Sequence, residues 1–563
     1  MKLSRPAVGS VTLSLLVSAW IILVLNSEFW SKTGIAFGDH RTALIAFSIG
    51  ISALLTALCI SVSVKYIIKP IFILAIAAAA ASSWFMTKFG VIIDTDMIGN
   101  AVQTTPAEAG HLMTPAFFRH MLLFAALPAL AIALVRIRHR TFGAKVKWNL
   151  AVIMPLLLLA LGMAFWQYPA IASTMRNNRI VIKTLNPVSP AISLVKYVIR
   201  KGRETTIVTM PLDPEARPGA LASHAGKPVV TIIVAGETAR AQDFSLGGYR
   251  RKTNPELEKR DVVYFRNTSS CGTATEVSIP CMFSLLGRSN YSREAGLAQE
   301  NLLDVLSHAG VDVSWWENNT GDKSVASRVR MRNFSAENDP RYCVNSECHD
   351  QVLVDALGPW LDGVKGNATL VLHQLGSHGP AYYQRYSEAE RLFKPDCRTE
   401  EFAACTSEEI VNAYDNTIVA TDHMLAQIID MLAARSDRLA ASLVYMSDHG
   451  ESLGEKGLYL HGMPYLFAPS EQTHVPFLVW VSESYSSIFG VTSACLKAQA
   501  DADVSQDNLF HTVLGLMDIE AAHYKPALDV TAECRKQVVM SSFVPDAQKK
   551  APGNPGALDA AAN

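Results

Sequence analysis

The sequence has no excess of charge of either sign: 50 lysines and arginines face 51 aspartates and glutamates, a formal net charge of −1. That removes the basic footprint expected of a nucleic-acid binder. The Cys-x-x-Cys spacing of zinc modules is missing. Six of the nine cysteines instead fall in close pairs, 271/281, 343/348 and 397/405, all in polar, loop-like sequence. Such pairs read as disulfides and imply an oxidising compartment. No clear small-x-small cleavage site follows the first apolar run. Despite Lys2 and Arg5 ahead of it, that run reads as a retained span and not a leader.

What the chain does have is long runs free of charge. Residues 7–25 and 42–64 carry none, and residues 70–86, 121–135 and 148–166 are also apolar. A spanning helix needs roughly 20 apolar residues, with about 17 as the lower end, so five spans are expected. Lys65 and Lys69 lie between spans two and three, and Arg136, Arg138, Arg140, Lys145 and Lys147 between four and five. The loop from span three to four carries Asp94, Asp96 and Glu108. Positive-inside reasoning puts the N-terminus and the 136–147 loop in the cytoplasm. Everything after Trp166 then lies outside, in agreement with the cysteine reading.

Four regions follow: a transmembrane domain over 1–167, a connector over 168–226, an external catalytic domain over 227–543 and a disordered tail over 544–563. The connector mixes Arg176, Arg179 and Lys183 with Ile180, Val181, Leu185, Ile192 and Val195, a pattern suited to helices at the membrane surface. From Pro228 on, apolar runs of strand length (229–234, 262–265, 311–316, 369–372, 442–445, 475–481) alternate with helical patterns (301–309, 351–360, 408–433, 506–517). This predicts an α/β domain whose largely parallel sheet carries helices on both faces. The tail is rich in Ala, Pro, Gly and Asn, a low-complexity composition.

In open α/β sheets functional groups gather beyond the carboxyl ends of strands. Glu237 follows one such strand; Asp448 and His449 follow another. Two carboxylates and an imidazole suit zinc better than manganese. The stretch 268–281, Thr-Ser-Ser-Cys-Gly-Thr-Ala-Thr-Glu-Val-Ser-Ile-Pro-Cys, brings hydroxyls just ahead of an apolar run. Pro280 suits the first turn of a helix, and a hydroxyl upstream of it would sit where helix amides favour an anion. Metal contact would ready that hydroxyl as a nucleophile. His378 and His461, flanked by Gly and Pro, sit on loops where they can neutralise a phosphoryl group or protonate a leaving oxygen. His373 is as well placed for a structural part. The turn at 317–323 offers Lys323 and free amides for phosphate.

The motifs GET (236–238), SCGTAT (270–275), ENNTG (317–321), GSHGP (376–380), SDHGE (447–451) and LHG (460–462) occur in this order. With them the chain, its tail apart, resembles the lipid A phosphoethanolamine transferases, the group that includes the mobile colistin-resistance enzymes. Its soluble part is similar to the alkaline phosphatase and sulfatase superfamily. The resemblance implies Thr275 as the nucleophile, with Glu237, Asp448 and His449 completing a zinc site. His378, His461 and Lys323 would hold phosphate or a second metal, with Asn319 and Thr320 nearby. Asn100, Thr104 and Glu108 would meet the ethanolamine group. Cys271–Cys281, Cys343–Cys348 and Cys397–Cys405 match family disulfides, while Asp322 stands where some relatives carry a cysteine. Cys495 and Cys534 stay unassigned.

The function these features imply is transfer of phosphoethanolamine from phosphatidylethanolamine to a lipid A phosphate through a covalent phosphothreonine. Lower surface charge and polymyxin resistance would follow. The enzyme would sit in the inner membrane of a Gram-negative cell with its catalytic domain in the periplasm. The nearest alternative is a phosphoglycerol or phosphoethanolamine transferase acting on another envelope glycan.

Overall fold

The computed structural model describes residues 6–344 and 347–535. The tail expected at 544–563, and residues 536–543 before it, lie outside the described residues. The N-terminal third is helical: α1 (Ser10–Val24), α2 (Ser27–Phe37), α3 (Arg41–Ser61), α4 (Ile68–Phe89), α5 (Thr95–Gln103), α6 (Pro106–Leu112), α7 (Pro115–Met121), α8 (Leu127–Leu134) and α9 (Phe142–Trp166). Among the described residues four helices are long and apolar enough to cross a membrane: α3, α4, α9 and the near-continuous 115–134 helix that joins α7 to α8. The span expected first is different. It is the bent pair α1 and α2, at 61° to each other, which makes a fifth only if the pair counts as one span. The break falls at Asn26, whose buried side-chain amide donates to the Ile21 and Asn186 carbonyls. An amide satisfying freed carbonyls at a helix end is what a break inside an apolar environment requires. Span four also begins earlier than its apolar run, because Thr114 accepts the Phe117 amide as an N-cap with Pro115 behind it.

The connector is helical too, with α10 (Tyr168–Asn177), α11 (Ile180–Lys183) and α12 (Val188–Glu204). On α12 the face carrying Pro190, Ser193 and Tyr197 is buried, while Ile192, Leu194, Val195, Val198 and Ile199 are exposed. Exposed apolar residues on this scale suit a helix against lipid headgroups.

The C-terminal domain is built on a seven-stranded sheet. Its strands are β1 (Val229–Gly236), β2 (Val263–Phe265), β3 (Asp312–Glu317), β4 (Arg330–Asn333), β5 (Ala368–His373), β6 (Ala440–Ser447) and β7 (Phe477–Val481). The order across the sheet is β2-β7-β6-β1-β5-β3-β4, and only β7 pairs antiparallel to its neighbours. All six expected strands are present. β4, sequence RMRN, is an addition: a polar, mostly exposed edge strand with no apolar signature. Every residue of β1 is buried. Val229, Ile233 and Ala235 pack into the core on one face, and Val230, Ile232 and Val234 into the core on the other. Covering both faces explains why the strand reads as one unbroken apolar run. Phe89 and Val91, at the end of α4, belong to the second of these cores. The membrane part is thereby packed directly onto the C-terminal domain.

Candidate active site

The helix carrying the SCGTAT stretch, α13 (Thr275–Met282), starts at Thr275 itself, with Ala274 as its cap residue. Pro280 therefore lies in the second turn and not the first, as its position in the sequence had suggested. The hydroxyl, though, does stand at the helix N-terminus. Cys271 is bonded to Cys281, which ties the approaching loop to the helix. At Gly272 a Cβ would come within 2.8 Å of Ser278 Oγ and 2.9 Å of Val277, so only glycine lets the loop pass that close.

Thr275 Oγ1 donates toward Glu237, 3.1 Å from Oε2, and lies 3.3 Å from His449 Nε2. Glu237, Asp448 and His449 are fully buried, and a ligand atom of each lies within 4.8 Å of the others. Strand pairing explains the meeting, since β1 and β6 are parallel neighbours and Gly236 pairs with Ser447. Asp448 Oδ1 is fixed by the amides of Thr238 and His449, at 3.0 and 2.7 Å. Its Oδ2 is buried with no hydrogen-bond partner. His449 Nδ1 faces the Gly450 carbonyl at 3.0 Å, which presents Nε2 to the site.

Burial, and then the charge of Glu237, push the Asp448 carboxyl well above its ordinary range. For Glu237 burial opposes ionisation, but His449, His378 and the Thr238 hydroxyl pull it down to about 2. Burial and then the charge of His461 push the His449 imidazole down to about 3 against the pull of Glu237, and it is in the neutral form that it can bind a metal. A neutral imidazole, two crowded buried carboxylates and an orphaned carboxylate oxygen form a donor set suited to a divalent cation. Glu237, Asp448 and His449 therefore fit a divalent metal, with the Thr275 hydroxyl beside them.

Around this cluster the other expected residues gather. Asn100, Thr104, Glu108, Thr275, Thr320, Lys323, His378 and His461 all line one cavity of about 300 Å3, whose remaining wall is largely apolar, with Phe85, Phe89, Val91 and Ile93. Asn100 is on α5 and Thr104 caps its end, its hydroxyl donating to the Asn100 carbonyl. Glu108 Oε1 is 3.3 Å from His378 Nε2. Lys323 Nζ donates to Thr320 O, Thr320 Oγ1 and Gln103 Oε1. Burial pushes the Lys323 ammonium down, against the pull of four glutamates. Asn319 borders a smaller space beside Glu108, and its amide donates to Glu237 Oε2 at 2.6 Å. Lys323 and Leu460, which line the cavity, and Thr238, next to Glu237, have φ of 50°, 61° and 58°. Backbone held in that region collects at functional sites.

Several supporting residues escaped the sequence reading. Glu317 accepts from Trp315 Nε1 and from the Asn319 and Gly321 amides, and pairs with His373 Nδ1 at 2.9 Å. It thus fixes both the ENNTG turn and His373, whose part is structural. Glu451, at the end of SDHGE, accepts from the Tyr382 hydroxyl and holds His461 Nδ1 at 2.9 Å. The motif letters were the only available signal for either glutamate. The three expected cysteine pairs are bonded, and Cys495–Cys534 is a fourth disulfide.

The family described as "Sulfatase" matches residues 230–519, and "Phosphoethanolamine transferase EptA/EptB" matches residues 51–201. Phosphoethanolamine transferase EptA of Escherichia coli strain K12 is 39% identical over 541 residues, covering 95% of this chain and 98% of that protein. Phosphatidylethanolamine transferase Mcr-1 of Escherichia coli is 34% identical, covering 92% and 97%. The solved integral membrane lipooligosaccharide phosphoethanolamine transferase A of Neisseria meningitidis superposes with a TM-score of 0.90 at 36% identity, over 94% of this chain and 99% of that one. The chain belongs to the EptA/EptB phosphoethanolamine transferase family, with a sulfatase-type domain following its membrane helices.

Proposed function

We propose that the protein transfers phosphoethanolamine from phosphatidylethanolamine to a phosphate of lipid A, with Thr275 carrying the group between them. The observation that carries this reading is the place of the Thr275 hydroxyl. It lies against Glu237 and His449, at a helix N-terminus, and lines a cavity whose other wall is apolar and built by the membrane part. The names of two relatives support the donor and acceptor classes: Mcr-1 is named a phosphatidylethanolamine transferase, and a protein 27% identical is named a Kdo(2)-lipid A phosphoethanolamine 7''-transferase.

Zinc held by Glu237, Asp448, His449 and Thr275 would lower the pKa of the hydroxyl and draw charge from phosphate oxygens. The chain's own residues do the rest. Thr275 Oγ1 gives up its proton and bonds to phosphorus as the bond from phosphorus to the diacylglycerol oxygen breaks. The leaving oxygen takes a proton; His378 and His461, on the same cavity, are the groups placed to give it. In the second half an acceptor phosphate oxygen bonds to phosphorus and the bond to Thr275 Oγ1 breaks. Amides at the start of α13 and Lys323 stabilise the charge on the transferring group. Asn100, Thr104 and Glu108 face the ethanolamine, with the Glu108 carboxylate opposite the ammonium. Four disulfides support a periplasmic catalytic domain on an inner-membrane protein.

Mass spectrometry of lipid A from cells with and without the protein tests this directly. Added phosphoethanolamine on a lipid A phosphate is the expected result. Phosphoglycerol in its place, or a modified glycan with unmodified lipid A, would replace the reading.

A further inference from the structure

Helix α6 carries Glu108 into the cavity, and the same helix carries a second ionisable residue three positions on. His111 Nε2 lies 3.0 Å from Glu347 Oε2, and its Nδ1 lies 3.5 Å from Glu400 Oε1. Both carboxylates belong to the catalytic domain, and each sits inside a loop closed by a disulfide: Glu347 within Cys343–Cys348, Glu400 within Cys397–Cys405. The contacts form a closed circuit. Arg385 Nη1 pairs with Glu347 at 2.8 Å, while its Nε donates to the His378 carbonyl at 3.0 Å. His378 Nε2 in turn meets Glu108, which returns to α6. The next residue of the second loop, Glu401, accepts the Ala116 amide at the start of α7. Thr105 and Pro106 begin α6 rigidly, as N-cap and first-turn proline.

We infer that His111 is a positioning residue: its imidazole, seated between two carboxylates on disulfide-closed loops, docks α6 on the catalytic domain and so sets Glu108 against the donor. This rests on the reading of Glu108 as a headgroup contact. The charged groups facing the ring are Glu347, Glu400 and Arg385; Tyr342 and His349 border the same space. The hydrogen bond to Glu347 is the main cause holding the His111 pKa above its ordinary 6.5, with burial and Arg385 opposing. A raised pKa means that docking is strongest at acid pH and weakens as pH rises through the folded-state value.

The test uses the full chain in phosphatidylethanolamine vesicles. His111→Ala should raise KM for the donor roughly tenfold, the scale of one charge-assisted hydrogen bond, with kcat nearly unchanged. His111→Gln, which keeps a neutral donor, should fall between the two. In the wild type KM should rise with pH above about 6.5, and that rise should vanish in both variants. Amide hydrogen exchange over residues 106–112 should be faster in His111→Ala than in the wild type. Unchanged exchange and unchanged KM in His111→Ala would overturn the inference, as would a fall in kcat alone. If the wild type transferred no phosphoethanolamine, the functional reading would fail, and the exchange measurement would still decide the docking.

Discussion

Glu237 and Asp448 leave neighbouring parallel strands one residue after a register pair, Gly236 and Ser447. The two carboxylates are thereby delivered into one sealed space, where only a cation or a proton can keep them together. His449 and the Thr275 hydroxyl close the same space. Because backbone pairing sets the meeting, the cluster belongs to the sheet and needs no induced movement to form.

Removing either carboxylate should remove the metal. Glu237→Ala and Asp448→Ala each delete a charged ligand and leave the other carboxylate buried without compensation. Metal analysis of the purified full-length protein should find bound metal, with zinc the expected element, in the wild type and much less in either variant. Full occupancy in both variants would dismantle the ligand set.

The four disulfides should be found oxidised by peptide mapping without reduction, and they should differ in worth. Cys495–Cys534 spans a sequence separation of 39, against 10, 5 and 8 for the others. Loop-entropy reasoning assigns the long one about 4 kcal/mol and the short ones about 2–3 kcal/mol each. Urea unfolding of the Cys495→Ser/Cys534→Ser double variant should therefore show a larger loss than opening any short loop. An equal or smaller loss would mean that the unfolded-state constraint is not what this bridge supplies.

Acid should weaken the catalytic domain through His511. Its ring is buried, and Nδ1 accepts the Lys525 amide at 3.2 Å, which requires a neutral imidazole. Burial, and then the Lys525 charge, push the pKa from 6.5 down to about 4. A depressed value means that the unfolded state binds the proton first. The contribution is then fully present above about pH 6.5 and is lost as pH falls toward 4. His511→Asn keeps an acceptor but cannot titrate. Its stability should fall less steeply over that window, by up to about 1.4 kcal/mol per pH unit, the slope of one proton. Parallel slopes for the two proteins would assign the acid sensitivity elsewhere.

Much of this architecture was legible because burial on both faces writes itself as continuous apolar sequence. The runs that became β1 and β6 could hardly be anything else, and the acids that end them then drew attention as site residues. The polar edge strand β4 has no such signature, since its residues face solvent. The break at Asn26 was invisible because the carbonyls it satisfies include that of Asn186, 160 residues away. Glu317, Glu451 and His111 escaped for the same reason. A glutamate or histidine in a polar turn looks like any other until the fold brings a distant partner to it, as Glu347 is brought to His111 across 236 positions. Cys495 and Cys534 could not be paired by proximity in sequence, and the fold alone brings them together.

The central claim is that Thr275 carries the phosphoethanolamine group. The direct measurement is mass spectrometry of the full-length protein after incubation with phosphatidylethanolamine and no acceptor, followed by fragmentation of the peptide that spans 268–282. The account predicts one added phosphoethanolamine group on Thr275, released when lipid A is supplied, and no adduct or transfer in Thr275→Ala. An adduct on Thr273 or any other residue, or transfer by Thr275→Ala at the wild-type rate, would contradict it.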